Sequence, residues 1–374
     1  MLTRAAVLFE APGRWEIAEL ELEGPRQDEL LIRMAAAGLC HSDDHILQGD
    51  LPVPPGALPV AGGHEGAGVV EEVGPDTPGW KVGDRVVLTF LPMCGLCRWC
   101  ASGMQNLCDN GRNVLSGVRP DGSRRMSLNG TPIGQGAGVA TFSEWSTVSV
   151  QSAIRIPEGI PLDAAALTSC GVGTGWGSAV RSADVRPGDV VIVMGTGGIG
   201  MNAVQGARHG GASVVIAVDP VEMKRQASFD FGATHAVETM EEATGIAQSF
   251  TNGQGADAAI VCVGVTTGEH IAQAVESIRK AGTVVMTGLP RAADDVAIPI
   301  SIRHLVLFQK RLQGSLFGAS NPSRDIPALL QMYSQGQLKL DEMITRRYRL
   351  EDINDGYEDM RAGRNLRGII DYRL

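Results

Sequence analysis

The sequence predicts an α/β protein of two domains, one β-rich and one built on a doubly wound parallel sheet. Three observations carry that reading. At 374 residues the chain exceeds what a single simple core organises. From residue 172 to residue 286, short apolar runs alternate with helical patterns at the pitch of βαβ units. Before residue 172, Gly and Pro punctuate short strand-like runs every eight to twelve residues.

The elements follow in order. In the first third, Val69, Val70 and Val73 precede a turn, and Lys81-Val82-Gly83-Asp84-Arg85 leads into Val86-Val87-Leu88. Residues 111–140 are Gly-rich and weakly periodic and read as a long surface loop. Val190–Met194 reads as a short buried strand, followed by a glycine turn and a helix over 199–209. Val214–Val218 is a second strand, with a helix around 221–231, and 258–263 and 282–286 continue the alternation. Strand, helix, strand at this pitch requires parallel pairing, because each crossover must return over the sheet. Residues 300–318 are apolar, and helical stretches near 323–335 and 351–362 close the chain.

Composition narrows the function. Acidic residues outnumber basic ones by 42 to 32, a net charge of −10, which argues against nucleic acid as partner. Short basic spots such as Arg346-Arg347 read as solvated surface. The longest apolar run, 258–263, is far below the ~20 residues of a membrane span. No signal-peptide pattern opens the chain, so the expected location is cytoplasmic. Seven cysteines in a reducing compartment point to metal rather than disulfides, since Cys94, Cys97, Cys100 and Cys108 crowd into fifteen residues.

Gly195-Thr196-Gly197-Gly198-Ile199-Gly200 matches G-x-G-x-x-G between a strand and a helix, the context of a Rossmann dinucleotide site. Gly195 permits the tight turn, Gly197 lets backbone approach a pyrophosphate, and Gly200 allows close helix–strand packing. The free N–H groups at the start of that helix, from Gly198 and Ile199 onward, favour phosphate. Asp219 ends the second strand nineteen residues beyond Gly200, where a carboxylate receives ribose hydroxyls and repels a 2′-phosphate. That selects NAD; Lys224 and Arg225 nearby keep NADP open, and a turn cap is the plain alternative for Asp219.

Four soft thiolates with gaps of two, two and seven residues match a closed tetrahedral zinc site, with an iron–sulfur cluster or idle cysteines as the alternatives. Cys40, Gly63-His64-Glu65 and Cys170 lie far apart in sequence. Together they make the two-cysteine, one-histidine donor set of catalytic zinc.

Cys40-His41-Ser42-Asp43, Gly63-His64-Glu65-Gly66-Ala67-Gly68-Val69-Val70, the four-cysteine lobe, Cys170-Gly171-Val172-Gly173-Thr174-Gly175 and the glycine fingerprint occur in one order across nearly the whole chain. In this the chain resembles the zinc alcohol dehydrogenases of the medium-chain dehydrogenase/reductase superfamily. In detail it resembles the actinobacterial nicotinoprotein enzymes, assayed with N,N-dimethyl-4-nitrosoaniline (NDMA), and also the class III, thiol-dependent formaldehyde dehydrogenases. The resemblance implies a GroES-like catalytic domain over 1–171 and 317–374 and a Rossmann domain over 172–316. It implies two zinc ions, a catalytic one on Cys40, His64 and Cys170 and a structural one on the four-cysteine lobe, and NAD beside the first.

Residue roles follow from the same resemblance. Ser42 would pass the alcohol's proton through cofactor ribose towards His45; a helix N-cap and a solvated surface histidine are the plain readings of these two. Asp43 would hold the imidazole of His64, and Glu65 would stand behind the metal, or pair with Arg367. Arg367 and His41 match phosphate-side positions, and Thr174 matches a residue on nicotinamide. Phe90 matches a pocket aromatic, or core. Gly136 and Ala137 fall where liver-type enzymes carry bulkier residues, implying a roomier pocket. Arg112 matches the arginine that holds an anionic thiol adduct, but Leu51-Pro52-Val53 stands where those enzymes carry an acid. Three functions stay open: a primary or aromatic alcohol dehydrogenase, a thiol-adduct formaldehyde dehydrogenase, or a non-catalytic relative. The last would have lost a metal ligand, and none is lost. Residues 300–318 are expected to extend the sheet into a second copy, giving at least a dimer.

Overall fold

The computed structural model describes residues 1–119, 121–294 and 297–374. Runs of β-branched residues set the centre of the parallel sheet. Every side chain of Val190–Met194 and of Val214–Val218 is buried, as strands covered on both faces require. The six strands run in the order 235–237, 214–218, 190–194, 256–261, 278–286, 311–314, parallel throughout. Numbered along the chain this is 3-2-1-4-5-6, the Rossmann order. The order reverses between 190–194 and 256–261, and the glycine fingerprint leaves the sheet there. Ile192, Ile216, Val261 and Val284 form its core with Ile271 and Val275 of the helix Gly268–Ser277. This compact unit spans 171–320.

The 300–318 segment differs from the expectation of strands. It forms the helix Ile302–Leu307, one edge strand Arg311–Gly314 and a short turn of helix at Leu316–Ala319. Ser301 explains the first of these: its hydroxyl accepts the His304 N–H and caps the helix.

Residues 1–170 and 321–374 form the other unit. The strands Leu2–Leu8, Glu16–Leu22, Met126–Leu128, Thr131–Gln135 and Val60–Ala61 close a barrel. A second sheet runs in the order 153–155, 85–88, 66–73, 29–38, 367–371, 344–348, with 145–149 also on 29–38. The C-terminal segment belongs here because Arg367–Asp371 pairs antiparallel with Glu29–Gly38. No helix among the described residues is long and apolar enough to cross a membrane.

The 111–140 stretch is not a surface loop. It supplies two barrel strands, three and five residues long, too short and too broken by Pro132 and Gly134 to show a period. It also supplies buried charge. Glu29 receives Arg125 Nη2 at 2.6 Å, Arg119 Nη2 at 2.9 Å and the Arg26 backbone N–H at 2.8 Å, and all three charged side chains are buried. Burial pushes Arg119 down to about 10 against the pull of Glu29. Removing the one buried carboxylate leaves two guanidinium groups without it. Glu29→Gln is expected to cost about 3–5 kcal/mol, read as a lower urea midpoint; an unchanged midpoint would remove this cluster from the stability account.

Candidate active site

Sheet pairing brings the first donors together. Glu29–Gly38 and Gly66–Val73 lie antiparallel with Ala37 opposite Gly66, so the chain leaving one strand at Cys40 meets the chain entering the other at His64. The helix Leu162–Ala166, packed on both strands, delivers Cys170. The ligand atoms of Cys40, His64, Glu65 and Cys170 all lie within 4.8 Å of one another, and all four residues are buried.

His64 reaches this point because two glycines precede it. Gly63 has φ +86, and a Cβ there would stand 2.5 Å from Thr141 Oγ1 and 2.6 Å from Phe142. One on Gly62 would stand 2.3 Å from the Trp15 ring. No side chain fits at either position against that wall. His64 Nδ1 lies 3.0 Å from Asp43 Oδ2, which orients the ring and leaves Nε2 for a metal. Burial opposes charge on His64, but Asp43 and Cys40 outweigh it and raise its pKa well above the usual value.

Cys40 is held well below the ordinary thiol range, chiefly by a hydrogen bond from Cys170, whose own thiol is pushed up by the same bond and by burial. Two sulfurs sharing a proton in a buried pocket suit a divalent cation, which releases such protons on binding. Glu65 is fully buried and pairs with Arg367; the pair crosses Gly38, where a Cβ would stand 2.1 Å from Glu65 Oε2. Burial pushes Glu65 up to about 7 in spite of Arg367. Its Oε1 has no hydrogen-bond partner among the described residues. Glu65 thus lies within reach of the metal-binding set, with one oxygen on Arg367 and the other without a partner among the described residues. Arg367 pairs with a carboxylate, as the ion-pair reading of these two residues has it. Two cysteines, a histidine and one further oxygen fit catalytic zinc.

Around this set, Phe90 stands edge-on to His64 with ring centroids 5.4 Å apart. Ser42 Oγ lies 3.7 Å from Cys40 Sγ. The N-cap of the helix His41–Leu47 is Cys40, so Ser42 sits inside the first turn and is not a cap. His45 is buried, with Nδ1 3.3 Å from Asp50, and is not a surface histidine. The His41 ring stands 6.0 Å from that of His45. Arg112 is exposed on the turn Asp109–Asn113.

Gly136 lies against another stretch of backbone, and Ala137 against the sheet. A Cβ on Gly136 would stand 3.0 Å from Ala61 O and 3.2 Å from Gly63 O, and Ala137 packs on the sheet core with Ile32 and Val139. The small size of Gly136 serves close approach to the loop that carries His64, so it is not by itself a sign of pocket space. Reasoning from sequence also missed Gly38, Trp15 and Phe142, and no motif marks them; their role appears only when His64 is threaded past them.

The four-cysteine lobe is compact. Cys94 Sγ lies 3.9 Å from Cys100 Sγ, and Cys97 Sγ lies 4.0 Å from Cys108 Sγ. A tetrahedral ion with Zn–S bonds of about 2.3 Å sets its sulfurs ~3.8 Å apart. Backbone N–H groups already point at the sulfurs: Cys97 N to Cys94 at 3.3 Å and Cys100 N to Cys97 at 3.5 Å. Those from Cys100 and Asp109 bring Cys97 down to about 6. Four donors about one point fit a single zinc ion.

In the other unit, Gly195 has φ +84, and a Cβ on Gly200 would stand 1.8 Å from Gly195 O. Nothing lies within 4 Å of a Cβ built on Gly197, the uncapped N-terminus of the helix Gly198–His209. That open face, with Gly198 and Ile199 in the first turn, is where a pyrophosphate fits. Asp219 is buried at the end of the second strand, Lys224 is half-buried on the helix Glu222–Asp230, and Thr174 is buried in the helix Gly171–Gly177.

Residues 26–158 match the family model described as the alcohol dehydrogenase GroES-like domain, and residues 198–335 match that of zinc-binding dehydrogenase. The chain is 49% identical over 99% of both lengths to an NDMA-dependent alcohol dehydrogenase of Amycolatopsis methanolica. It is 35% identical, over the full length of both, to an S-(hydroxymethyl)glutathione dehydrogenase of Paracoccus denitrificans. A crystal structure of an alcohol dehydrogenase zinc-binding domain protein from Burkholderia ambifaria superposes with a TM-score of 0.91 at 32% identity, covering 99% of each chain. With its donor clusters on this fold and such relatives matched end to end, the chain belongs to the zinc-binding alcohol dehydrogenases of the medium-chain dehydrogenase/reductase superfamily.

Proposed function

We propose that the protein oxidises primary and aromatic alcohols to aldehydes, reversibly, using two zinc ions per chain and an NAD that stays bound while an external acceptor reoxidises it. The observation that carries the reading is the buried Cys40–His64–Cys170 set with Asp43 on His64 and Phe90 beside it. Zinc bound there supplies a Lewis acid that acidifies an alcohol. NAD bound at the glycine turn supplies the hydride acceptor. The protein's own residues do the rest. Asp43 fixes the His64 ring, and Ser42 hydrogen-bonds the substrate oxygen and hands its proton towards His45. Asp50, half-buried beside His45, continues that path outward. Phe90 offers an apolar wall that suits a benzylic carbon.

Retention of NAD is supported by end-to-end similarity to the NDMA-dependent relative. The thiol-adduct alternative has only the exposed Arg112, with no acid at Leu51-Pro52-Val53 and a relative at the lower identity. All seven cysteines are free, and six stand in the two donor clusters, which supports a reducing, cytoplasmic setting. The test is direct: protein desalted exhaustively is mixed with benzyl alcohol and NDMA. Bleaching without added NAD is expected; a strict need for added NAD, with NADH accumulating, returns the enzyme to the ordinary exchanging class.

The assembly proposed is at least a dimer. Arg311–Gly314 pairs with one neighbour and ends the sheet, and Ile302, Val306, Leu307 and Leu316 near it are exposed. Sedimentation is expected to give twice the chain mass or more; a stable monomer at working concentration would refute it.

A further inference from the structure

Asp219, the residue read as the cofactor's ribose acceptor, is already engaged by its own chain. Its Oδ2 accepts the Thr196 backbone N–H at 2.8 Å and lies 3.2 Å from Thr196 Oγ1. Its Oδ1 accepts the Val221 N–H at 2.9 Å. A carboxylate offers about four acceptor directions. Three are taken here, both of those on Oδ2 by Thr196, and the free one is on Oδ1. Thr196 is fully buried, so its hydroxyl turns to this carboxylate and not to water. It is also the second residue of the glycine fingerprint, where neither the tight turn nor the approach of phosphate demands a hydroxyl.

The neighbouring cation is likewise committed. Arg225 donates to the carbonyl oxygens of Asp219 and Pro220 at 2.8 and 2.9 Å, and lies 3.8 Å from Glu238. Its guanidinium is drawn onto the main chain of the turn, away from the role of an arginine that receives a 2′-phosphate.

We propose that Thr196 is a specificity-determining residue: its hydroxyl and N–H lock Asp219 in one rotamer that presents Oδ1 to the adenosine ribose and opposes a 2′-phosphate, setting the preference for NAD over NADP. The inference rests on the reading of NAD as the cofactor. A carboxylate held in one orientation gives the ribose an acceptor with no ordering left to do. One that turns freely gives a poorer acceptor and a less well placed repulsion. The locking group is a side chain, so it is removable without touching the glycines.

The experiment uses full-length, zinc-loaded protein freed of dinucleotide on charcoal and titrated with NADH and with NADPH, reading nicotinamide fluorescence. Wild type is expected to prefer NADH. Thr196→Val keeps the shape and removes the hydroxyl; it is expected to cut the NADH:NADPH affinity ratio by about five- to tenfold, the worth of one hydrogen bond. Thr196→Ala, a second variant without the hydroxyl, is expected to do the same should the valine fold poorly, and Thr196→Ser is expected to keep the wild-type ratio. A wild type that discriminates, beside Val and Ala variants that discriminate equally well, overturns the proposal and leaves the NAD reading standing. Loss of discrimination in the serine variant as great as in valine also overturns it. A wild type that binds both cofactors alike removes the NAD reading, and this inference with it.

Discussion

Cys97→Ala is expected to lose one zinc per chain and to lower the melting temperature by about 10 °C or more, since structural zinc contributes of order 10 kcal/mol to the fold that holds it. Cys97 is the choice because its sulfur has two duties. It stands 4.0 Å from Cys108 Sγ in the donor cluster, and it accepts the Cys100 N–H that starts the helix Arg98–Ala101. The 94–108 segment has little else to fold on. Leu96 is 90% exposed, and the helix is four residues long. In the variant Cys94, Cys100 and Cys108 still crowd about one point with a ligand missing, and burial there pushes the Cys100 thiol up to about 12. Zinc content by elemental analysis and calorimetric melting check the expectation together. Full zinc with an unchanged melting point would mean that the lobe folds on its own.

The second large effect is on chemistry. His64→Ala is expected to leave the structural zinc, lose the catalytic one and lower kcat by about a thousandfold or more, because a Lewis acid at the reacting oxygen is worth several kcal/mol in the transition state. His64 has no substitute among its neighbours. Glu65 is the one further donor in the set, and its carboxylate is held by Arg367. Asp43→Asn tests the same centre more gently. It keeps the shape but weakens the orientation of the ring, and a loss of about 10–100-fold in metal affinity is expected. Chelator-driven zinc release separates the two variants from wild type without reference to turnover. A His64→Ala protein that still holds two zinc ions and turns over alcohol would place the catalytic metal elsewhere.

Some of this was legible at once because it is written in local spacing. The glycine fingerprint between Val190–Met194 and its helix, the acid at Asp219, and four cysteines in fifteen residues each state their chemistry within a short window. Backbone conformation and metal geometry act over that range. The central strands of the parallel sheet were equally plain, since burial on both faces leaves unbroken apolar runs; the short, less buried strands 235–237 and 311–314 leave no such run.

The misread features share a cause. Residues 111–140 looked like loop because barrel strands of three and five residues carry no period. Gly136 looked like pocket because small size alone cannot tell space for a ligand from contact with another backbone. Within 300–318, expected to extend the sheet, the Ser301 cap starts a helix and only Arg311–Gly314 is strand.

By itself, then, the sequence determined the fold class, the alternation of strand and helix through the Rossmann unit and the two sets of metal-binding residue types. Tertiary structure alone decided that Glu65 stands within reach of the donors, that Arg367 faces a carboxylate, that Glu29 gathers Arg119 and Arg125, and that Thr196 grips Asp219. Each of these depends on pairings between segments 20 to 300 residues apart, where a partner is chosen by sheet register and by which glycines let two backbones meet.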